Sequence, residues 1–272
     1  MYFHNEDTPI HFFLPQLIYG RINFEGEAAE TYICDNKWEV KAMDKIIVLN
    51  VKNNFGKAGD TLHPVVLKDH ESMVLIDCGY TGFLAAIEQA MEENNFSCSD
   101  LTHVLITHQD HDHMGALSEL KQKYPWIKVV AGKKESPYIS GRLKSLRLEQ
   151  AEAMQQDLPE EQKQFGLDFC NILKNVRPVD VDLEVQDGDV FSWCGGCTIV
   201  ATPGHTPGHI SVYVNQKRVM ITGDGAALEN GTLVVANPQY ALDIKNAEAS
   251  LEKIVKYGAK EIICYHGGVF IP

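Results

Sequence analysis

Short apolar runs separated by turn residues recur in the first half of the chain and predict β-strands. Residues 46–49, 64–67 and 73–76 are rich in β-branched side chains and are bounded by polar, turn-forming segments. Residues 102–107 continue the pattern and end abruptly in histidines and aspartates, and residues 127–130 predict one more strand. The pattern therefore predicts several short strands joined by polar connections.

Apolar positions that recur every three to four residues predict helices between these strands. Residues 82–94 and 114–124 have this period, and residues 247–257 predict a helix that ends at Gly258. Strand patterns return in the second half of the chain, at residues 190–200, 210–214, 219–222 and 262–265. Strands and helices that alternate in two similar halves predict an α/β sandwich.

Two stretches depart from this alternation. Residues 133–178 carry mostly Lys, Arg, Gln and Glu with spaced apolar residues, and they predict two amphipathic helices broken near residues 158–159. Residues 1–44 mix polar and aromatic residues and predict an N-terminal arm or short hairpin, which would cover a sheet edge or support a homo-oligomer. The aromatic packing anchors expected in this arm are Phe12, Phe13 and Tyr19.

Length and composition indicate a globular protein with one large domain or two small ones. The chain has 272 residues, of which 44% are hydrophobic and 22% charged, so disorder is excluded as its general state. Lys and Arg number 24 against 37 Asp and Glu, which gives a formal net charge of −13. An acidic chain repels phosphate backbones, so no nucleic-acid partner is expected. No run of about 18 apolar residues occurs, so no membrane span is expected.

Cysteine usage favours a cytoplasmic protein. Seven cysteines, an odd number spread over a long chain, indicate reduced thiols in preference to a disulfide framework. The apolar stretch at 11–19 follows two acidic residues and is interrupted by Pro15, which argues against a secretory signal. Cys194 and Cys197 enclose two glycines between strand-like runs, and this pattern predicts a hairpin turn in preference to a metal or redox pair.

The main candidate for chemistry follows the strand at 102–107. The sequence His-Gln-Asp-His-Asp-His at 108–113 places five potential metal ligands within six residues. Clustered carboxylates repel one another, and their burial requires a counter-charge that a divalent cation would supply. In an extended stretch His111 would point away from the site, and a bend at 112–113 would bring one more side chain back to it. The side chains expected to face the site are His108, Asp110, Asp112 and His113.

Three later segments each place one candidate ligand directly after a strand, where α/β folds commonly carry their sites. His205 lies between two Pro-Gly turns that would hold it rigidly. Asp224 lies between two glycines, which leave its carboxylate room to approach two metals, and His266 precedes a Gly-Gly turn. Together with the cluster at 108–113, these residues predict a metal centre.

These ordered motifs resemble the metallo-β-lactamase superfamily, whose usual pattern is HxHxDH, a His in a TPGHTPG-like segment, an Asp after a strand and a terminal His. The resemblance covers about residues 45–272 and implies an αββα sandwich with a dinuclear metal site between its sheets. Asp77 matches an aspartate that braces the ligand loop without binding metal, and His209 is expected to hydrogen-bond near the site. The implied ligands are His108, Asp110 and His205 for the first metal, Asp112, His113 and His266 for the second, and Asp224 as a bridge.

Asp110 departs from the family pattern, which usually has His at this position. A carboxylate is a harder ligand than an imidazole, and it adds a negative charge. Asp110, Asp112, Asp224 and one hydroxide would neutralise two divalent cations, and a neutral centre favours anionic substrates less. Zinc remains the expected metal, with manganese or iron as alternatives.

The resemblance implies a metal-dependent hydrolase in which a dinuclear-metal-activated hydroxide, oriented by a catalytic Asp112, attacks a small-molecule ester, thioester, lactone or amide substrate. The alternatives are an oxygen- or redox-active diiron protein, slightly favoured by Asp110, and a binding protein that keeps the fold without turnover. The insert at 133–178 would lie beside the site as a lid. Its polar side chains that would either face solvent or meet a substrate anion are Tyr138, Arg142, Lys144 and Arg147.

Overall fold

A computed structural model describes residues 44–52 and 61–272 in full, and the backbone of two strands nearer the N-terminus. The chain divides after residue 43 into two compact units. In the first unit β1 (Glu30–Cys34) pairs with antiparallel β2 (Lys37–Lys41), so this segment contains a short hairpin. The expected packing anchors Phe12, Phe13 and Tyr19 lie outside the described residues. A homo-oligomer formed through the arm stays a prediction.

Eight strands follow in the first half of the second unit. They are β3 (Lys45–Val48), β4 (Val51–Lys52), β5 (Thr61–Leu62), β6 (Val65–Lys68), β7 (Met73–Ile76), β8 (His103–Ile106), β9 (Lys128–Gly132) and β10 (Leu183–Val185). Six of them form one sheet in the order β10-β9-β8-β7-β6-β3, and β4 pairs with β5. The pairs β3–β6 and β6–β7 are antiparallel, whereas β7 to β10 run parallel to one another.

The second half supplies a second sheet. Its strands are β11 (Val190–Phe191), β12 (Cys197–Ala201), β13 (Ile210–Val214), β14 (Val219–Ile221), β15 (Ala227–Glu229), β16 (Thr232–Val234), β17 (Glu261–Cys264) and β18 (Gly268–Phe270). The sheet order is β11-β12-β13-β14-β17-β18, and β15 pairs with β16 separately. All the neighbours in this sheet are antiparallel except β14 and β17.

Helices occupy the connections. They are α1 (Leu84–Glu93), α2 (His111–Met114), α3 (Leu117–Lys123), α4 (Ser136–Ile139), α5 (Leu146–Met154), α6 (Glu160–Lys174) and α7 (Ile244–Lys256). The three helices predicted between strands correspond to α1, α3 and α7, and the predicted break in the insert separates α5 from α6. Every helix in the described residues falls short of the length and apolar character that a bilayer crossing requires.

Alternating strand side chains produce four layers, which confirms the predicted αββα sandwich. On β6, Val65 and Leu67 pack between the two sheets against residues such as Ile199 of β12. The intervening Val66 belongs to the cluster on the opposite face, which includes residues of α1 and α3. On the outer face of the second sheet, Met220 packs in a cluster with Ile254 of α7. The period of two in the strands thus separates the inner core from the two helical layers.

The Cys-Gly-Gly-Cys segment is a turn, as the sequence predicts. It joins β11 to antiparallel β12, and its Cys194 has a positive φ of 51°. Both thiols are buried and free, and burial raises the pKa of Cys194 to about 11 and that of Cys197 to about 12. Thiols held in the neutral form are poor nucleophiles and poor metal ligands.

Candidate metal centre

Five strands from the two sheets end at one edge of the sandwich, and each is followed by a predicted site residue. In the first sheet, β7 leads into Asp77 and β8 leads into the cluster at 108–113. In the second sheet, β12, β14 and β17 lead into the remaining three. The seven predicted ligands that meet at this edge are His108, Asp110, Asp112, His113, His205, Asp224 and His266.

Asp77 holds the ligand loop through hydrogen bonds to Thr107 and His113. Its Oδ1 accepts a hydrogen bond from the Thr107 N–H at 2.9 Å, and its Oδ2 accepts from the Thr107 hydroxyl at 2.8 Å. The same Oδ2 lies 2.9 Å from His113 Nδ1. A proton on His113 Nδ1 leaves Nε2 with its lone pair facing the centre, which is the form a metal ligand requires.

The ligand loop is extended only as far as Asp110, and α2 begins at His111. Asp110 has extended backbone angles, with φ of −70° and ψ of 148°, and its carbonyl accepts the first hydrogen bonds of the helix. The extended stretch therefore ends before the predicted bend at 112–113, so the alternation that would turn His111 away from the site stops at Asp110. Because α2 turns by about 100° per residue, it brings Asp112 and His113 to the centre and leaves His111 on the wall of the adjacent cavity.

The first cluster consists of His108, Asp110 and His205, whose ligand atoms lie within 4.8 Å of one another. Asp110 Oδ2 lies 3.5 Å from His108 Nε2 and 3.0 Å from His205 Nε2. His108 Nδ1 lies 3.0 Å from the Thr107 hydroxyl, which already donates to Asp77 and therefore accepts the imidazole proton. His108 Nε2 is thus left unprotonated and directed at the centre.

The second cluster consists of Asp112, His113 and His266. Asp112 Oδ2 lies 3.2 Å from His266 Nε2 and 3.7 Å from His113 Nε2. Separations of about 3.3 Å are expected between neighbouring ligands that each lie about 2.0 Å from a tetrahedral ion. The two clusters therefore have a spacing that suits metal ions.

Asp224 lies between the two clusters. Its Oδ1 is 3.2 Å from His113 Nε2 and 3.5 Å from His266 Nε2, whereas its Oδ2 is 3.4 Å from His205 Nε2. Each carboxylate oxygen therefore faces one cluster, which is the placement that a bridging ligand needs. The Asp224 N–H donates to His209 Nε2 at 3.0 Å, so His209 braces the aspartate through its backbone and has no lone pair left for a metal on that nitrogen.

Unpartnered buried atoms test whether the residues fit a metal. Among the described residues, four such atoms converge between the clusters, and each lacks a hydrogen-bond partner: His108 Nε2, His113 Nε2, His266 Nε2 and Asp224 Oδ1. Buried polar atoms without partners are costly, and native proteins rarely leave several of them together. A divalent cation satisfies lone pairs of this kind, so the donor set fits a metal centre.

The carboxylates and imidazoles of the centre shift one another's pKa values. Burial alone would raise the pKa of Asp224, but the facing imidazoles, led by His113, hold it well below its usual range. Burial lowers the pKa of His266, yet the carboxylates of Asp224 and Asp112 outweigh that effect and raise it to about 8. The carboxylates are therefore ionised at neutral pH, which is the state in which they bind cations.

Arg147 is the largest departure from the sequence-based picture. The sequence offered it as a solvent-facing side chain of the insert or a contact for a substrate anion, yet only 3% of it is exposed. Its Nη2 donates to Asp110 Oδ2 at 2.6 Å and lies 3.2 Å from His205 Nε2. Arg142 and Lys144, in contrast, are exposed and pair with Glu184 and Glu152.

Two further supporting residues also escaped sequence analysis. Glu135 is fully buried and accepts from the Gln109 N–H at 3.0 Å and from the Gly208 N–H at 2.8 Å, so it ties the two ligand loops together. The Tyr265 hydroxyl donates to the Asp112 carbonyl at 2.7 Å. No local signal marks Glu135, which follows two lysines in a polar stretch, whereas Tyr265 is the neighbour of a predicted ligand.

A cavity of about 200 Å³ opens above the centre. Asp112, Asp224 and His266 contribute to its floor, and its walls include the aromatic rings of Tyr80, Phe169 and Tyr240. Phe169 comes from α6, so the insert does lie beside the site. The cavity gives a small molecule access to both clusters.

The fold and the site together define an α/β sandwich with two candidate metal-binding clusters at one edge. The chain belongs to the metallo-beta-lactamase superfamily, whose profile matches residues 63–266. This match confirms the family that the sequence motifs resemble.

Comparison with known proteins identifies relatives that are named as hydrolases. The probable metallo-hydrolase YflN of Bacillus subtilis is 28% identical over 155 residues, which are 56% of this chain and 55% of that protein. Hydroxyacylglutathione hydrolase GloC of Haemophilus influenzae is 27% identical over 160 residues, which are 59% of this chain and 64% of that protein. The chain thus spans between half and two thirds of the length of these two relatives.

Solved structures show the same fold. The metallo-beta-lactamase family protein TTHA1429 of Thermus thermophilus superposes with a TM-score of 0.64 at 20% identity. The superposition covers 83% of this chain and 74% of that one.

Proposed function

We propose that the protein is a metal-dependent hydrolase that cleaves a small ester, thioester, lactone or amide. The observation that carries this proposal is the convergence of unpartnered atoms of His108, His113, His266 and Asp224 beside an accessible cavity, which His266 and Asp224 line. Two divalent cations bound there, which we expect to be zinc, would lower the pKa of a water molecule and polarise a substrate carbonyl. The names of the relatives YflN and GloC support a hydrolase.

The residues around the cavity suit a proton-transfer role for Asp112. Its carboxylate lines the cavity, and its Oδ1 lies 3.6 Å from His111 Nδ1. Asp112 would accept a proton from the attacking water, whereas His111 Nδ1, at 3.6 Å, lies beyond hydrogen-bond distance of its carboxylate. The Tyr265 hydroxyl holds the Asp112 backbone, so the carboxylate is preorganised.

Cavity size and lining support a small substrate. A volume of about 200 Å³ lies below the range of about 300–1,000 Å³ typical of pockets for drug-sized ligands. The rings of Tyr80, Phe169 and Tyr240 would pack against an apolar acyl or leaving group. A small molecule is therefore the proposed partner of this site.

Turnover tests the proposal. The protein, loaded with zinc and analysed for metal content, should hydrolyse members of a panel of chromogenic esters, thioesters including a hydroxyacylglutathione, and lactones. Asp112→Ala should lower kcat/KM by at least about 100-fold, the size of a typical general acid–base contribution. Asp100→Ala, an exposed aspartate in a turn before β8, is the matched control and should retain activity. Fully loaded protein that cleaves nothing in the panel would overturn the proposal.

The carboxylate at Asp110 favours a second candidate, an oxygen- or redox-active diiron protein, because carboxylates bind iron and manganese relatively better than imidazoles do. Metal analysis combined with an optical spectrum separates the two candidates. A colourless protein with zinc as its only bound metal excludes the diiron candidate.

A further inference from the structure

Arg147 brings a buried positive charge to the first cluster from the helical insert. It lies on α5, at the second residue of the helix, and its guanidinium is surrounded by acceptors. Its Nε lies 3.2 Å from Asp110 Oδ2, and its Nη1 lies 2.5 Å from both the Gln150 Oε1 and the Tyr240 carbonyl oxygen. A buried guanidinium with all of its nitrogens engaged is held in one place.

The contacts of Arg147 make the two clusters unequal. In the first cluster, the guanidinium occupies Asp110 Oδ2 and approaches His205 Nε2, so two of the three ligand atoms already face a cation. In the second cluster, His113 Nε2 and His266 Nε2 have no hydrogen-bond partner among the described residues. The second cluster is therefore prepared for a metal, whereas a metal at the first cluster must share its ligands with a fixed positive charge.

The opposite charges of Arg147 and Asp110 compensate each other. Asp110 contributes a negative charge that a neutral imidazole at the same position would not, and the guanidinium of Arg147 cancels it. The total charge of the centre then equals that of a centre with an imidazole at 110 and no arginine. Because the two charges are in direct contact in a buried place, neither is compensated if the other is removed.

We propose that Asp110 and Arg147 together replace an imidazole ligand, and that Arg147 weakens cation binding at the first cluster relative to the second. The repulsion between the guanidinium and a divalent cation a few ångströms away lowers the affinity of the first cluster. Arg147 is thus a positioning residue that sets the metal occupancy of the site from the insert. This inference rests on the metal centre of the proposed function, but it concerns affinity and not turnover.

Stepwise metal titration tests this inference. The chelator-stripped protein is titrated with Zn²⁺ in a calorimeter and with Co²⁺ while its visible absorption is recorded. The unchanged protein should show one tight and one weak class of site. His266→Ala should remove the tight class and His205→Ala the weak class, which assigns each class to its cluster.

Variants at the ion pair then give opposite effects on the weak class. Arg147→Gln should raise the metal affinity of the weak class by about 10-fold or more, because it removes a positive charge that lies a few ångströms from the bound cation. Asp110→His alone should weaken it, because the guanidinium is then uncompensated. The double variant should bind with an affinity close to that of the unchanged protein. Arg142→Gln, which removes an exposed arginine of the same insert, is the control and should change neither class.

If Arg147→Gln alone does not fold, the double variant Asp110→His/Arg147→Gln still tests the inference. It leaves no unpaired buried charge, and it is compared with Asp110→His. The inference is overturned if removal of Arg147 does not raise the metal affinity of the weak class, either in the unchanged protein or in the Asp110→His variant. The proposed metal centre is unaffected by that result. Absence of metal binding at both clusters of the unchanged protein would instead refute the proposed function itself.

Discussion

The imidazoles of the centre have their protonation set by neighbours that do not touch the cavity. Thr107 and Asp77 accept hydrogen bonds from Nδ1 of His108 and His113, so Nε2 is the nitrogen that each imidazole directs to the centre. Asp77 itself has a positive φ of 60°, a conformation that aspartate tolerates better than most residues. One carboxylate directly after β7 therefore orders two ligands at once.

Asp77→Asn tests this arrangement. An amide keeps one acceptor oxygen but places an NH₂ group against either Thr107 or His113, which leaves a buried donor without an acceptor. We expect a loss of about 1–3 kcal/mol in the free energy of unfolding and a drop of about 10- to 100-fold in metal affinity, measured by denaturant titration and calorimetry. Asp100→Asn is the exposed control. Equal metal affinity in both variants would show that Asp77 has no part in ordering the ligands.

At the scale of elements, the site depends on loops from both sheets that are tied together by one side chain. Glu135 lies between β9 and α4, and it accepts N–H groups from the loop after β8 and from the loop after β12. Gly208 must approach this carboxylate closely, because a Cβ at that position would lie 2.7 Å from Glu135 Oε1. The glutamate thus fixes the distance between two ligand loops that belong to different sheets.

The pKa of Glu135 predicts how this contact depends on pH. Burial raises the pKa of Glu135, although the nearby Thr206 hydroxyl and the hydrogen bonds from the Gln109 and Gly208 N–H groups oppose that effect. A carboxyl whose pKa is raised in the folded state binds its proton more tightly there than in the unfolded chain. Its contribution to stability is therefore complete below the unfolded pKa of about 4.3 and declines as the pH rises through the folded value.

The difference in unfolding free energy between the unchanged protein and Glu135→Gln isolates this contribution, because glutamine does not titrate. We expect the unchanged protein to have a larger advantage at pH 4 than at pH 7, as measured by denaturant titration. Glu248→Gln on the exposed face of α7 provides the matched comparison. An advantage that grows with pH would contradict the raised pKa.

At the scale of the whole molecule, the centre joins the two sheets at an edge where three buried imidazole nitrogens and one carboxylate oxygen lack hydrogen-bond partners among the described residues. A cation bound there stabilises only the folded chain, because its ligands follow four separate strands. Metal binding should therefore contribute directly to the stability of the sandwich.

Metal removal tests this coupling. At free zinc 100 times above the dissociation constant, binding should add about 2.7 kcal/mol to the unfolding free energy. For a unit of this size that corresponds to a rise in Tm of about 5–10 °C, which a chelator should reverse in a thermal scan. His266→Ala should show a smaller rise. A protein shown to contain zinc whose Tm is the same with and without chelator would contradict this prediction.

The amino-acid sequence by itself determined the layers of the fold and the identity of the candidate ligands. Strand period and apolar runs predict most of the sheet strands, since burial on one or both faces of a sheet imposes that pattern locally. The ligands follow strand ends directly, so their positions along the chain already indicate a shared edge. Too few residues for a period to be recognised are present in the short strands β4, β5, β10, β15, β16 and β18.

Apart from Asp77 and His209, only the tertiary structure decided which side chains support the ligands. Arg147 and Asp110 are 37 positions apart in the sequence, and Glu135 and Gly208 are 73 positions apart. A local sequence pattern therefore cannot predict either contact. His111 faces the cavity because a helix begins at this residue, where the sequence predicts an extended loop. Ion pairs and hydrogen bonds between distant segments depend on how the sheets and the insert pack, and that packing is what places a positive charge beside the first cluster.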